Sequence, residues 1–307
     1  MVSHAPALQG TRAVGSRVAA YVALTKPRII ELLLVTTLPT MVVAKGGLPS
    51  WGLMAATLVG GTLAAGGANA INMYVDRDID TVMHRTSNRP LVTGAMSPRA
   101  ALVFAVSLEV VAFGELWGLV NLLAAVLAVS ATAFYVFVYT LWLKRRSTQN
   151  IVIGGAAGAV PVLVGWAAVT GSLSWAPVVL FAIIFVWTPP HFWALAVRYR
   201  EDYRAARVPM LPAVASLLRT TREIVLYTVL LVALSLLFGG VAHLGIAYTA
   251  VALVLGGIFL VQAVRLWGRA RADGAIGRDA MRLFGYSITY LTVLFVAMAA
   301  DVLVRSH

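Results

Sequence analysis

Asn72, Asp76 and Asp80 are spaced by four residues at the end of a long apolar run, in the stretch NMYVDRDIDTVMHRTSNRP (72–90). If the helix that ends the run continues through them, successive side chains turn by only about 40° and rise about 6 Å, so all three share one face. Asp78 points away from that face. Oxygen ligands with no thiol or imidazole among them suit Mg²⁺, which keeps waters and is completed by the phosphate oxygens of a substrate. Lys26, Arg28, Arg85, Arg89, Lys144 and Arg145 are the bases that would clamp a diphosphate beside such a metal. The plainer alternative is a solvated helix end whose aspartates pair with Arg77, Arg85 and Arg89. Three of the twelve acids within five residues, beside a membrane-length run, favour the ligand reading.

The rest of the chain must hold that stripe in lipid. Of 307 residues, 60% are hydrophobic and 12% charged, too few polar residues to cover a water-soluble core. Nine runs reach the roughly 20 residues a spanning helix needs: 29–46, 52–73, 100–117, 119–142, 151–170, 174–197, 223–242, 246–266 and 283–304. The division between the third and fourth rests only on ELWGLVN. Period-2 alternation is absent, which excludes a membrane barrel. The expected fold is therefore an all-α integral membrane protein, nine helices in a bundle. A basic segment over 1–22 precedes a single domain over 23–307.

The excess of 24 Lys and Arg over 12 acids is first a topology signal and not a nucleic-acid one. With the N-terminus inside, 22 of the 24 fall on the inner side, and only Lys45 and Arg305 fall outside. The two long inner loops, 74–99 and 198–222, each follow an even-numbered helix and lie four helices apart. That spacing predicts two four-helix repeats plus a ninth helix. Small residues in GGTLAAGGANA and IGGAAGA mark the second and fifth helices as central, because Gly and Ala let backbones approach in lipid. There is no cysteine, hence no disulfide framework. The N-terminus lacks the apolar core of a secretory signal, and an arginine-rich composition fits a bacterial inner membrane.

The nine-span pattern with Asn-x-x-x-Asp-x-x-x-Asp at an inner helix end resembles the UbiA superfamily of intramembrane prenyltransferases. The longer run NMYVDRDIDTVMHRTSNRPL is similar to the haem O synthases, or protohaem IX farnesyltransferases, within it. So are LTKPRI (24–29), KRRSTQNIVIGGAAGA (144–159), WTPPHFWALA (187–196) and DYRAARVPMLP (202–212). The resemblance runs from about residue 20 to the end. It implies farnesyl diphosphate and haem B as substrates, haem O and diphosphate as products, and Mg²⁺ on Asn72, Asp76, Asp80 and Asp202. It also implies a place in haem A supply, with haem A synthase or oxidase assembly proteins as partners and no nucleic acid. Two departures stand out. A second Asp-x-x-x-Asp is expected after the sixth helix, but Asp202 is followed four residues on by Ala206, so Asp202, helped by Glu201, is the acid of that loop. Val162 stands where a second proline is expected after Pro161.

Two further residues complete the expected site. Tyr139, one turn before Lys144, would face an allylic cation with its ring, or else belong to the interfacial aromatic belt. His191, in TPPHFW about two turns from the inner end of its helix, would ligate haem iron. Its alternative is a hydrogen bond to a neighbouring helix or to carbonyls freed by Pro189 and Pro190. His84 lies in a loop and is the weaker haem candidate. Glu31 lies near the interface and Glu109 deeper, without a visible partner. The rival activities are prenylation of an aromatic acceptor such as 4-hydroxybenzoate, with the same metal site, and a secondary transporter, which would place its charges near the bilayer midplane.

Overall fold

The computed structural model describes residues 17–306, without the side chains of 28–34. All regular elements among the described residues are helical. Residues 17–25 form α1. There follow α2 (Pro27–Lys45), α3 (Trp51–Val75), α4 (Arg77–Val82), α5 (Pro98–Leu119) and α6 (Leu122–Ala133), which a π-helical segment, Phe134–Trp142, prolongs. The second half holds α7 (Asn150–Thr170), α8 (Trp175–Arg198), the short α9 (Arg200–Ala205) and α10 (Leu211–Val214), then α11 (Leu217–Val241), α12 (Ile246–Arg271) and α13 (Gly277–Arg305).

Eight helices among the described residues are long and apolar enough to cross a membrane: α3, α5, α6 with its extension to Arg145, α7, α8, α11, α12 and α13. The chain is thus a multi-pass membrane protein. On α2 falls the first of the nine expected spans; it has 19 residues, roughly 28 Å at 1.5 Å per residue. Large apolar side chains face outward along the spans, such as Val103, Val110, Leu253 and Val254. In water that surface would be costly, whereas in lipid it is solvated.

Local chemistry sets the helix ends. Ser50, Ser97, Asn121 and Ser216 each accept a hydrogen bond from the backbone N–H three residues on, satisfying a donor that a helix start leaves free. Asn121 settles the division inside ELWGLVN. Its Oδ1 caps α6, and its Nδ2 donates to the Ala167 carbonyl of α7 at 2.8 Å. Gly46 and Gly171 end α2 and α7 in the left-handed conformation that a glycine adopts without strain.

The bundle closes by seating α2 against both α7 and α13, so the first and last long helices meet. α3 lies along α5, and α8 lies among α7, α11 and α13. The two glycine-rich helices are interior, as expected. A Cβ on Gly155 of α7 would come within 2.8 Å of Thr188 on α8, and one on Gly165 within 3.0 Å of the Thr37 carbonyl on α2. α8 is equally interior, a role its large residues conceal: Trp187, Pro189, Pro190, His191 and Trp193 are all buried. α7 continues through Pro161 and α8 through its proline pair.

Candidate active site

Asp76 is a joint, not a point on one continuous helix. α3 ends at Val75, Asp76 takes φ −83° and ψ 3°, and α4 starts at Arg77. The helical hydrogen-bond pattern still bridges the joint: Asp76 N–H donates to the Asn72 carbonyl and Asp80 N–H to the Asp76 carbonyl, each at 2.9 Å. The stripe therefore survives. Asn72, Asp76 and Asp80 are all buried, while Asp78 is exposed on the other side.

Burying two aspartates requires compensating charge, and three bases supply it. Lys144 pairs with Oδ2 of Asp76, and Arg89 with Oδ2 of Asp80. Lys26 Nζ donates to Asn72 Oδ1 at 2.9 Å, while Asn72 Nδ2 donates to Asp76 Oδ2 at 2.7 Å and to Thr140 Oγ1 at 3.2 Å. Burial, then the neighbouring Arg89 and Lys144, push the Lys26 ammonium below its ordinary range, against the pull of Asp76 and Asp80. Its backbone is left-handed (φ 53°, ψ 61°) immediately before Pro27, a conformation lysine rarely takes. Asn69 holds that turn by donating from Nδ2 to the Thr25 carbonyl at 3.1 Å. Arg145 forms two 2.7 Å hydrogen bonds with Asp78, which hold that carboxyl down to about 2. The side chain of Arg28 lies outside the described residues, as does that of Glu31.

A hard divalent cation suits this donor set. Oδ1 of Asp76 is buried and has no hydrogen-bond partner among the described residues, Arg145 being 3.9 Å away. The available ligands are all oxygen. The carboxylates do not converge on one point, and among the described residues no three His, Cys, Asp or Glu side chains form a metal-sized group. Lys144 and Arg89 occupy the carboxylate oxygens instead.

The loop after α8 reaches this site. Asp202 Oδ2 accepts the backbone N–H of Arg85 at 3.1 Å, across 117 residues of sequence. The Arg85 guanidinium lies 5.5 Å from the Tyr199 ring centre. Tyr203 is buried against the same arginine, and burial raises its phenol while Arg85 draws it down. Glu201 does not assist Asp202 as expected. It is 78% exposed and pairs with Arg204 at 2.9 Å and Arg200 at 3.6 Å, because its position on α9 faces solvent. Ala206 caps α9, its N–H donating to the Asp202 carbonyl at 3.0 Å.

The Tyr139 ring packs against the core and stacks on Tyr135 at 5.3 Å. Gly154 of α7 makes room for it, since a Cβ there would collide with the Tyr139 ring. Both tyrosines lie on the π-helical segment, whose wider turn lets Thr140 Oγ1 donate to the Tyr135 carbonyl at 2.8 Å. Sequence periodicity did not reveal this segment or the role of Thr140. It also passed over Asn150, wholly buried at the start of α7 with neither side-chain polar atom hydrogen-bonded among the described residues.

His191 lies in an aromatic box between α8 and α13. Its ring stacks on Trp187 at 4.2 Å and lies 4.6 Å from Phe284 and 5.1 Å from Phe192. Nδ1 is 2.7 Å from Ser287 Oγ, which itself donates to the Phe284 carbonyl at 2.6 Å. A hydroxyl has one proton, so this network assigns the Nδ1–H tautomer and leaves the lone pair on Nε2. The neighbouring-helix hydrogen bond thus exists, to a serine and not to a proline-freed carbonyl. His84 is exposed.

Glu109 has a partner after all. Its Oε1 accepts from Thr132 of α6 at 3.1 Å, and a Cβ on Gly67 of α3 would come within 2.6 Å of the same oxygen. Glu115, which sequence inspection passed over, fits against Gly60 one turn and a half further along α5.

An all-helical multi-pass bundle, with two acid-bearing loops joined at one end and aromatic side chains beside them, has the architecture of an intramembrane prenyltransferase. Residues 33–288 match the UbiA prenyltransferase family, and the chain belongs to it. It is 54% identical over 299 residues to the protoheme IX farnesyltransferase of Streptomyces avermitilis, covering 97% of this chain and 98% of the relative. It is 56% identical over 302 residues to that of Kineococcus radiotolerans, covering 94% and 89%. Among solved structures, digeranylgeranylglyceryl phosphate synthase superposes with a TM-score of 0.75 at 16% identity, over 93% of this chain and 98% of that one. A UbiA homolog from Archaeoglobus fulgidus bound to GPP and Mg²⁺ gives 0.63 at 17%, over 91% and 99%. At such identities these two structures establish the fold alone.

Proposed function

We propose that this chain transfers the farnesyl group of farnesyl diphosphate to a vinyl group of haem B, with addition of water, releasing diphosphate and giving haem O. The high identity to protoheme IX farnesyltransferases over nearly the whole chain supports the choice of substrates. The observation that carries the chemistry is the buried Asn72–Asp76–Asp80 stripe, neutralised by Lys144 and Arg89 and reached by Lys26.

Asn72, Asp76, Asp80 and Asp202 would hold Mg²⁺, consistent with the oxygen-only donor set and with the Mg²⁺ of the Archaeoglobus homolog. When bound, that ion neutralises charge on the diphosphate as it departs. Lys26, Lys144, Arg85, Arg89, Arg145 and, from sequence, Arg28 supply the remaining positive charge at the leaving group, in a site already built before reaction. As the C–O bond breaks, its electron pair leaves with diphosphate. The allylic carbon then takes the vinyl π electrons to form the new C–C bond. Water adds to the cation left beside the macrocycle and loses a proton. Tyr139 and Tyr135 present ring faces suited to the allylic cation. His191, with Nε2 unprotonated, would hold the haem through its iron.

We place the protein in a bacterial inner membrane as a nine-span chain with α2 as the first span. The N-terminus and both acidic loops then face the cytoplasm and the C-terminus lies outside.

The test is mass spectrometry of haems extracted after incubating the purified protein with haem B, farnesyl diphosphate and Mg²⁺, with absorbance spectra of bound haem B in parallel. Haem O forms with wild type and is lost with Asp76→Ala. His191→Ala alters the spectrum of bound haem and weakens turnover. A wild type that leaves haem B intact and prenylates 4-hydroxybenzoate would overturn the acceptor while keeping the metal site.

A further inference from the structure

Away from the acidic stripe, at the same end of the bundle, a cleft of about 290 Å³ opens between the start of α11 and the end of α12. Arg219 and Arg222 line it from α11, and Trp267 and Arg271 from α12. Neither Arg219 nor Arg271 has a carboxylate within ion-pair distance among the described residues, in contrast to Arg89, Arg145 and Arg204. Only Arg222 has one nearby, Glu223 at 3.3 Å, and no acid lines the cleft. The indole Nε1–H of Trp267 is a buried donor with no acceptor among the described residues. Arg271 sits 5.9 Å from the centre of the same ring.

Three cations around one opening call for an anion with several oxygens, and phosphate is the chemistry that fits. What lies above the opening separates a lipid from a free ion. Toward the membrane the wall of α11 continues through exposed Leu226 and Val229, and that of α12 through exposed Val264 and Val261. A soluble phosphate has no use for that wall, whereas acyl chains do. We propose that this cleft binds the headgroup phosphate of an anionic phospholipid, in the leaflet on the side of the acidic stripe, with the acyl chains lying along α11 and α12.

The experiment reads lipid binding to the full-length purified protein. Native mass spectrometry and thermal unfolding are recorded in nanodiscs of phosphatidylcholine doped with phosphatidylglycerol. Wild type is compared with Arg219→Ala/Arg271→Ala, with Trp267→Phe, and with Arg265→Ala/Arg278→Ala as a charge-matched control. The expected result is retained phosphatidylglycerol and a higher unfolding temperature for wild type and the control pair. The cleft pair binds at least about tenfold more weakly, and Trp267→Phe, which keeps an aromatic ring beside Arg271, stays close to wild type. Equal losses in both arginine pairs would overturn the proposal, because attraction would then be general to the basic face. Retention of the lipid in detergent against millimolar inorganic phosphate supports a lipid site; displacement by phosphate overturns it in favour of a free-anion site.

Discussion

The loops after α3 and α8 share a backbone device and differ in what they place on it. Each long helix stops at one non-helical joint, Asp76 (φ −83°, ψ 3°) or Tyr199 (φ −101°, ψ 22°), and a six-residue helix follows. Four residues beyond the joint stand Asp80 in the first case and Tyr203 in the second, both buried. The first loop thus carries buried charge matched by Lys144 and Arg89. The second carries rings, with Arg85 over Tyr199, and a single acid, Asp202, directed at the backbone of the first loop. The parallel supports two related halves in the bundle. The two loops differ in content: the first buries paired carboxylates, and the second places rings and one acid against it.

Breaking the ionic side is expected to have the largest effect. Asp76→Asn removes the charge that Lys144 faces and lowers haem O formation by about 10²- to 10³-fold, measured by mass spectrometry of extracted haems. In the second loop, Asp202→Asn is expected to cost about tenfold, on the scale of one charge-assisted hydrogen bond. That loss would be seen chiefly as a raised KM for farnesyl diphosphate in steady-state assays. If it equalled the loss from Asp76→Asn, the contrast between the loops would not extend to activity. Tyr199→Leu removes the ring beneath Arg85 and lowers kcat/KM by about two- to fivefold, the worth of an exposed cation–π contact. Glu201→Gln, which touches only Arg200 and Arg204 at the surface, stays within about twofold of wild type in the same assay.

Much of this is legible in the sequence alone. The stripe at 72, 76 and 80 follows from a period of four, and it survives the joint at Asp76 because the hydrogen bonds across that joint keep helical spacing. What the reading of Glu201 lacked was a direction. Adjacent residues on a helix are separated by about 100°, so the choice between Glu201 and Asp202 depends on how α9 is rotated against the first loop. The π-helical segment was invisible for a related reason. Apolar residues surround it on all sides, and a wider turn leaves no trace in a pattern already apolar throughout. Glu109 found its partner in Thr132, on a helix whose rotation no periodicity in a uniformly apolar sequence records.

The sequence by itself determined the solvent, the apolar segments, the end of the bundle that gathers charge and the acids that lie there. Hydropathy and charge belong to each residue and need no partner to be counted. Tertiary structure alone decided which base meets which acid, that Asp202 crosses 117 residues to the first loop, and that His191 of α8 sits in an aromatic box completed by α13. Those facts depend on helix rotation and on the order of helices around the bundle. In lipid both are set by close fits such as Gly154 with Tyr139 and Gly155 with Thr188.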